Sequence, residues 1–206
     1  MKVILVNGSP REKGCTYTAL SEVAKTLNEN GIETEIFHIG TEPVAGCIAC
    51  GVCRDSGECI YTDCVSGFLE KAKNADGFVF GSPVYYSNMS GQLSSFMDRA
   101  FYSGAKYMNG KPAAAVVSCR RGGASSTFEQ INKYFTINCM PVVSSQYWNQ
   151  VHGSKAEDVL KDEEGMQTMR TLGAHMAWLL KCIEIGKANG IDKPEKEPAI
   201  RTSFIR

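Results

Sequence analysis

Short apolar runs alternate with helix-like periodicity five times along this chain of 206 residues. Each apolar run is too short for a globular helix but fits a strand that is buried on both faces. Apolar residues at intervals of three and four then follow, which is the spacing of one helix face. This alternation predicts an α/β fold in which helices cover both faces of a parallel sheet.

The predicted elements can be placed by this alternation. The strands are expected at 3–6, 32–39, 77–80, 113–117 and 141–147, and the helices at 16–27, 65–72, 93–100, 128–135 and 166–187. We expect residues 1–188 to form a single domain, with a cysteine-rich loop at 46–64. Residues 189–206 are polar and carry two prolines, which predicts a C-terminal tail.

Charge and cysteine content narrow the function. The chain has 22 basic and 22 acidic residues without a long block of either sign, which argues against nucleic acid and anionic membranes as partners. Its start has no signal-peptide pattern and no stretch is apolar enough to span a membrane, so we expect a cytoplasmic protein. In that reducing compartment, nine cysteines indicate metal, cluster or redox use rather than disulfides.

Three loops follow predicted strands at the sheet edge where α/β proteins bind ligands. GSPREKGCT has hydroxyls, a guanidinium and glycines before a helix, which suits a phosphate or is an ordinary capped turn. SPVYYSNMSG has two adjacent aromatic residues that can flank a flat ring or pack in the core. SCRRGGAS has two arginines for a polar ring edge or a second phosphate, or is a solvated turn.

The stretches GSPREKGCT and GSPVYYSNMSGQLSSFMDR resemble the NADPH-dependent FMN reductase family over about the first three quarters of the chain. The resemblance implies a flavodoxin-like three-layer sandwich with five parallel strands in the order 2-1-3-4-5. It also implies bound FMN, NAD(P)H as electron donor, and a small acceptor such as a quinone, an azo or nitro compound, free flavin or a metal. Members of this family are often dimers or tetramers, so we expect a homodimer or homotetramer.

The resemblance also assigns FMN contacts to the three loops. It places the phosphate on the first loop, the isoalloxazine along the second and the ring's pyrimidine side against the third. No catalytic side chain is expected, because the flavin carries the chemistry. The implied FMN-binding residues are Ser9, Arg11, Cys15, Thr16, Pro83, Val84, Tyr85, Tyr86, Asn88, Ser118, Arg120, Arg121, Gly122 and Gly123.

Four cysteines in the loop at 46–64 have the spacing C-x2-C-x2-C-x5-C: Cys47, Cys50, Cys53 and Cys59. This spacing resembles the compact motif of the iron–sulfur flavoproteins, a branch of the same family. That likeness implies a [4Fe-4S] cluster beside FMN, and an electron carrier that exchanges electrons with a ferredoxin-type partner. Two alternatives remain: metal-free thiols that pack the loop or act as a redox sensor, and zinc, which usually takes two separated cysteine pairs.

Overall fold

The computed structural model describes residues 1–195, 197–200, 202 and 204. Five of its strands form one sheet in which every neighbouring pair runs parallel. The strands are β1 (Lys2–Asn7), β2 (Glu33–His38), β3 (Gly77–Pro83), β4 (Ala113–Cys119) and β5 (Gln150–His152). Their order, β2-β1-β3-β4-β5, confirms the predicted flavodoxin-like topology.

Helices cover both faces of the sheet and confirm the predicted three layers. They are α1 (Cys15–Glu29), α2 (Val52–Ser56), α3 (Cys64–Ala72), α4 (Gly91–Met108), α5 (Ala124–Ile137), α6 (Ala156–Val159) and α7 (Glu163–Ala188). The short helices α2 and α6 were not predicted, because four or five residues are too few to show a helical period. None of the helices described is both long and apolar enough to cross a membrane.

Alternate residues of β1 enter two separate hydrophobic clusters. Val3 and Leu5 pack with α1 and α7, whereas Ile4 and Val6 pack with α3 and α4 on the other face. All four side chains are fully buried, and each contributes about 1.5–3 kcal/mol of transfer free energy. This two-sided burial explains why the strand lacks polar alternation. It also holds the carboxyl ends of the strands, and so the loops that follow them, in place.

The last strand lies elsewhere than predicted. The sequence predicted a strand at 141–147, but β5 is Gln150–His152. Only Val142 of the predicted run makes a bridge to the sheet, with Ala113. The chain then leaves the sheet, because the Ser145 hydroxyl donates to the carbonyl of Tyr147 and folds the segment into a turn (2.7 Å).

The C-terminal tail is described in part. Residues 196, 201, 203, 205 and 206 of the predicted tail lie outside the described residues. Near its start, the Ile191 amide donates to the carbonyl of Gly186 (2.9 Å). The Lys193 ammonium donates to the carbonyl of Asn109 (3.2 Å), so the first residues of the tail lie against the α4–β4 turn.

Candidate functional site

The loop between β1 and α1 is held by short polar contacts. The Gly8 amide donates to the carbonyl of Gly81 in β3 (2.8 Å), and a Cβ on Gly8 would lie 2.8 Å from that oxygen. Only glycine fits this close approach. Beyond it, the Ser9 amide donates to Asn7 Oδ1 (3.1 Å) and the Arg11 amide to Ser9 Oγ (3.1 Å). The loop is therefore ordered before any ligand binds.

Helix α1 begins without a side-chain cap. Its N-cap residue is Gly14, which has no side chain to accept from the first-turn amides. These amides lack intrahelical partners and lie at the positive end of the helix dipole. Ser9 and Thr16 are buried around this end, while the Arg11 side chain is exposed. An anion such as the FMN phosphate would supply the missing acceptor.

The loop after β3 forms a tight hairpin. Tyr85 and Asn88 exchange backbone hydrogen bonds (2.8 and 3.0 Å), and the two residues between them, Tyr86 and Ser87, have positive φ angles of 51° and 59°. Positive φ at both central positions is the conformation of a type I′ turn. Tyr85 is half exposed and Tyr86 fully exposed, so both rings offer apolar surface next to the sheet edge.

Contacts from the end of β4 join the first and second loops. The Ser118 hydroxyl lies 2.9 Å from the Thr16 hydroxyl, and the Ser118 carbonyl accepts from the Val84 amide (2.9 Å). The Ser126 hydroxyl donates to the carbonyl of Ser87 (2.7 Å). The three loops that the sequence singled out therefore meet at one edge of the sheet.

The loop after β4 has exposed residues and leads into a helix that has no side-chain cap. Arg120, Arg121 and Gly122 are exposed, and Cys119 directs its thiol to the carbonyl of Arg121 (3.5 Å). Gly123 is the N-cap of α5, and like the N-cap of α1 it provides no side-chain acceptor. This end of the site thus offers guanidinium groups and free amides to a polar ring edge. Pro83, another predicted residue, is half-buried at the end of β3.

Cys15 differs from the other predicted phosphate contacts. Its thiol points to the carbonyl of Gly153 beyond β5 (3.6 Å). Burial raises the pKa of this thiol, so it stays protonated at neutral pH. The backbone amide of Cys15, at the first position of α1, is the group that can face an anion.

Three supporting residues were not predicted. The Asn7 side chain donates to the carbonyl of Glu12 (2.9 Å), and the Ser90 hydroxyl donates to the carbonyl of Gly8 (2.7 Å). His38 Nε2 lies 2.8 Å from the carbonyl of Ser9. Asn7 directly follows the first apolar run and Ser90 precedes a helix, so both had a local signal. His38 had none, because its role depends on β2 lying next to β1.

The four cysteines of the loop at 46–64 line a single cavity beside α4. Its wall also includes Ile48, Ile60, Tyr61, Arg99 and Tyr102. Cys47 and Cys50 are exposed, while Cys53 and Cys59 are partly buried. Glycines with positive φ stand at both ends of α2, Gly51 at 80° and Gly57 at 75°, and turn the loop around the cavity.

The four cysteine sulfurs supply the type of ligand that an iron–sulfur cluster needs. Burial raises the pKa of Cys53, and neighbouring Cys50, Cys59 and Cys47 raise it further because like charges would gather there. Four soft sulfur donors around one cavity fit an iron–sulfur cluster, whose iron would stabilise the thiolates. Among the described residues, no three His, Cys, Asp or Glu side chains are already arranged as metal ligands.

Comparisons with known proteins show which family the chain belongs to. Residues 1–154 match the family model of the NADPH-dependent FMN reductases. An iron–sulfur flavoprotein of Methanocaldococcus jannaschii is 36% identical over 192 residues, covering 89% of this chain and 100% of the relative.

Two solved structures share the fold. RosB, solved with bound 8-demethyl-8-formylriboflavin-5′-phosphate, superposes with a TM-score of 0.71 at 14% identity, covering 100% of this chain and 92% of RosB. A flavodoxin from the domain Archaea gives a TM-score of 0.61 at 17% identity, covering 88% of this chain and 99% of the flavodoxin. The similarity to these two structures is therefore one of fold.

Proposed function

We propose that this chain, which belongs to the NADPH-dependent FMN reductase family, transfers electrons from NAD(P)H through FMN to a small acceptor. Family membership supports an FMN-dependent oxidoreductase. The observation that carries the proposal is the uncapped start of α1 inside the ordered β1–α1 loop. The proposal adds NAD(P)H as the electron donor. It also adds a quinone, an azo or nitro compound, free flavin or a metal as the acceptor.

The first loop would hold the FMN phosphate. The Ser9 and Thr16 hydroxyls and the Arg11 guanidinium supply donors around the free amides of Cys15 and Thr16. Charge-assisted hydrogen bonds of this kind are about twice as strong as neutral ones. The buried contact between Thr16 and Ser118 fixes the orientation of one hydroxyl before the ligand arrives.

The second and third loops would hold the isoalloxazine ring. Pro83, Val84, Tyr85 and Tyr86 provide apolar and aromatic surface, and Asn88 closes their hairpin. Arg120, Arg121 and the amides of Gly122 and Gly123 would face the pyrimidine edge with positive charge and donors. A bound FMN would supply the hydride-transfer and electron-transfer chemistry that side chains lack. The side chains would orient the ring.

The test is anaerobic titration of the purified, FMN-loaded protein with NADPH and, separately, NADH. Loss of flavin absorbance with one of them, and its return when a quinone is added, is the expected result. Retention of the oxidised spectrum with both nucleotides would refute NAD(P)H as the donor. Arg11→Gln should lower FMN affinity roughly 10- to 150-fold, because one charged hydrogen bond of about 1.5–3 kcal/mol is lost.

A second candidate function is electron transfer between FMN and a [4Fe-4S] cluster, with a ferredoxin-type protein as partner. Two observations favour it: four cysteines share one cavity, and the M. jannaschii relative is named an iron–sulfur flavoprotein. Cys47, Cys50, Cys53 and Cys59 would be the ligands. A cluster between two flavin-carrying subunits would suit a homodimer or homotetramer, which we propose as the assembly.

Iron analysis of protein purified without oxygen decides between these functions. About four irons per chain, with broad visible absorbance beneath the flavin bands, would support the cluster. Iron-free protein with intact flavin would leave the simple reductase. In that case the exposed thiols of Cys47 and Cys50 would be open to reversible oxidation, as a redox sensor requires.

A further inference from the structure

One buried arginine connects the two ends of the cysteine-rich loop. Arg99 lies in α4, and only 1% of its side chain is exposed. Its Nη1 donates to the carbonyl of Ala45 (3.3 Å), just before the loop, and its Nη2 to the carbonyl of Tyr61 (3.4 Å), near the loop's end. The same two nitrogens bind both oxygens of Asp63. The guanidinium thus holds chain segments that are far apart in sequence.

The fifth donor of Arg99 contacts a thiol. Its Nε lies 3.4 Å from the sulfur of Cys59. A guanidinium has five N–H groups in a fixed plane, and each has a partner here. Among the described residues, Cys59 is the one cysteine of the four around the cavity that receives a hydrogen bond from a charged group. The four thiols are therefore not equivalent.

The rest of the contact set makes this arrangement rigid. Asp63, the ion-pair partner, also caps α3 by accepting from the Val65 amide (3.0 Å). The Tyr61 ring lies 4.8 Å from the guanidinium carbon and covers its face. A lysine could supply the charge but not the planar fork that reaches Asp63, a carbonyl and a thiol together.

We infer that Arg99 is a positioning residue that fixes the Cys59 sulfur at the cavity and raises the reduction potential of a cluster bound there. The N–H that Arg99 directs at a ligand sulfur would stabilise the more negative, reduced cluster, and a lysine, which keeps the charge, would lose this hydrogen bond. The redox part rests on the proposed [4Fe-4S] site, whereas the positioning of Cys59 does not.

The first experiment compares Arg99→Lys with Arg54→Lys after anaerobic purification. Arg54 is an exposed arginine of the same loop whose guanidinium donates to the Tyr102 hydroxyl, so it is a matched control without a thiol contact. Redox titration followed by electron paramagnetic resonance should give Arg99→Lys a more negative cluster midpoint potential and less iron per chain. Arg54→Lys should match the wild type. Unchanged potential and full iron in Arg99→Lys would overturn the redox part.

The second experiment needs no cluster. Reduced, iron-free protein is treated with iodoacetamide, and the labelling rate of each cysteine is followed by peptide mass spectrometry. At about pH 10, above the ordinary pKa of a thiol, Arg99→Lys should label Cys59 severalfold faster than the wild type because its sulfur is no longer held against α4, while exposed Cys47 keeps its rate. Equal Cys59 rates would overturn the positioning role. If the wild type never binds iron, the cluster proposal fails but this measurement still decides the role of Arg99.

A folding check accompanies both experiments. Retained FMN absorbance shows that the Arg99→Lys sheet is intact. If this variant does not fold, Asp63→Asn replaces it, because asparagine keeps the oxygen that caps α3 but weakens the hold on the guanidinium. The same faster labelling of Cys59 is expected from it, and wild-type labelling would again contradict the inference.

Discussion

At the residue scale, Gly123 is the position where the second and third loops meet. Its φ of 91° lies in the left-handed region, and a Cβ there would lie 2.8 Å from the Ser87 hydroxyl and 2.9 Å from Val84 Cγ1. Neighbouring Gly122 has open space around it and carries no such constraint. Two adjacent glycines of one motif therefore have different structural requirements.

Gly123→Ala should therefore lower both stability and FMN affinity. Left-handed backbone costs a non-glycine residue about 1–2 kcal/mol, and the added methyl group displaces Ser87 or Val84, which border the proposed ring site. Urea unfolding of the apoprotein and fluorescence titration with FMN measure the two effects. Gly122→Ala is the control and should stay within about 0.5 kcal/mol of the wild type. Equal effects of the two changes would contradict this account.

Some side-chain positions could be predicted from the sequence, but contacts between residues far apart in the chain could not. The tyrosines after β3 and the arginines after β4 were recognised because each follows an apolar run. The orientation of the Cys15 thiol toward Gly153, and the contact of Arg99 with Cys59, join residues 138 and 40 positions apart. No local pattern records such pairs. They become visible only when packing brings the elements together.

At the element scale, α1 begins without a side-chain cap at the proposed phosphate site. Gly14→Asp should raise the stability of the apoprotein by roughly a few tenths of a kcal/mol, because Asp is a somewhat better N-cap than Gly and the backbone of Gly14 is extended (φ −90°). It should also weaken FMN binding at least tenfold, since its carboxylate competes with the phosphate. Thermal unfolding and FMN titration measure both changes.

Gly14→Ala is the matched control, because its Cβ meets the same Arg11 neighbour at 3.1 Å but brings no acceptor. It should show neither the gain in stability nor the tenfold loss of affinity. Tighter FMN binding by Gly14→Asp would exclude the start of α1 as the phosphate site.

Strand β2 is joined to its neighbours by Glu35, which pairs with Lys2 of β1 (2.9 Å) and Lys71 of α3 (2.7 Å). Hydrogen bonds from Lys71 and Lys2 lower the pKa of Glu35 below its ordinary 4.5. A carboxyl whose folded pKa is lowered stabilises the fold above its unfolded pKa, and this contribution disappears as pH falls through the folded value.

Glu35→Gln should therefore cost about 0.5–1 kcal/mol at neutral pH and progressively less below pH 4.5. Urea unfolding at several pH values gives the difference. Glu70→Gln, which breaks a more exposed pair with Lys73, should cost less at neutral pH. A loss that stays constant into acid would show that the charge of Glu35 is not responsible.

Hydrophobic periodicity predicted the long helix α7 but not the short strand β5. Helix α7 was predicted from its apolar face, and Met166, Met169, Leu172 and Met176 are buried as that pattern requires. Strand β5 was missed because it has three residues and one buried apolar side chain, Val151. An edge strand of this length has no detectable period, whereas the more apolar run at 141–143 makes only one bridge.

At the scale of the whole molecule, FMN binding should stabilise the fold by mass action. At a hundredfold excess over the dissociation constant the gain is about 2.7 kcal/mol, which raises Tm by roughly 5–10 °C in a chain of this size. Calorimetry with and without FMN measures it. Riboflavin, which lacks the phosphate, should give a clearly smaller shift. An equal shift would place the binding energy in the ring loops rather than at α1.

The global architecture was the most predictable level. Five strand–helix units allow few topologies, and the family resemblance selected the observed strand order. The meeting of the three loops at one sheet edge was also predictable, because each of them follows a predicted parallel strand. The cavity of the cysteine-rich loop was not, because its walls combine a loop, an unpredicted short helix and the side of α4.

The closure of that loop by one guanidinium bears on how the fold can diversify. Ala45 and Asp63 contact the same side chain, so the loop leaves and rejoins the framework at nearly one point. Lengthening a loop with fixed ends costs entropy only logarithmically, about 0.6 kcal/mol per doubling. Insertions and deletions between these two anchors therefore hardly burden the sheet. The cysteines of this loop can therefore be gained, changed or lost during evolution without altering the five-stranded sheet and its helices.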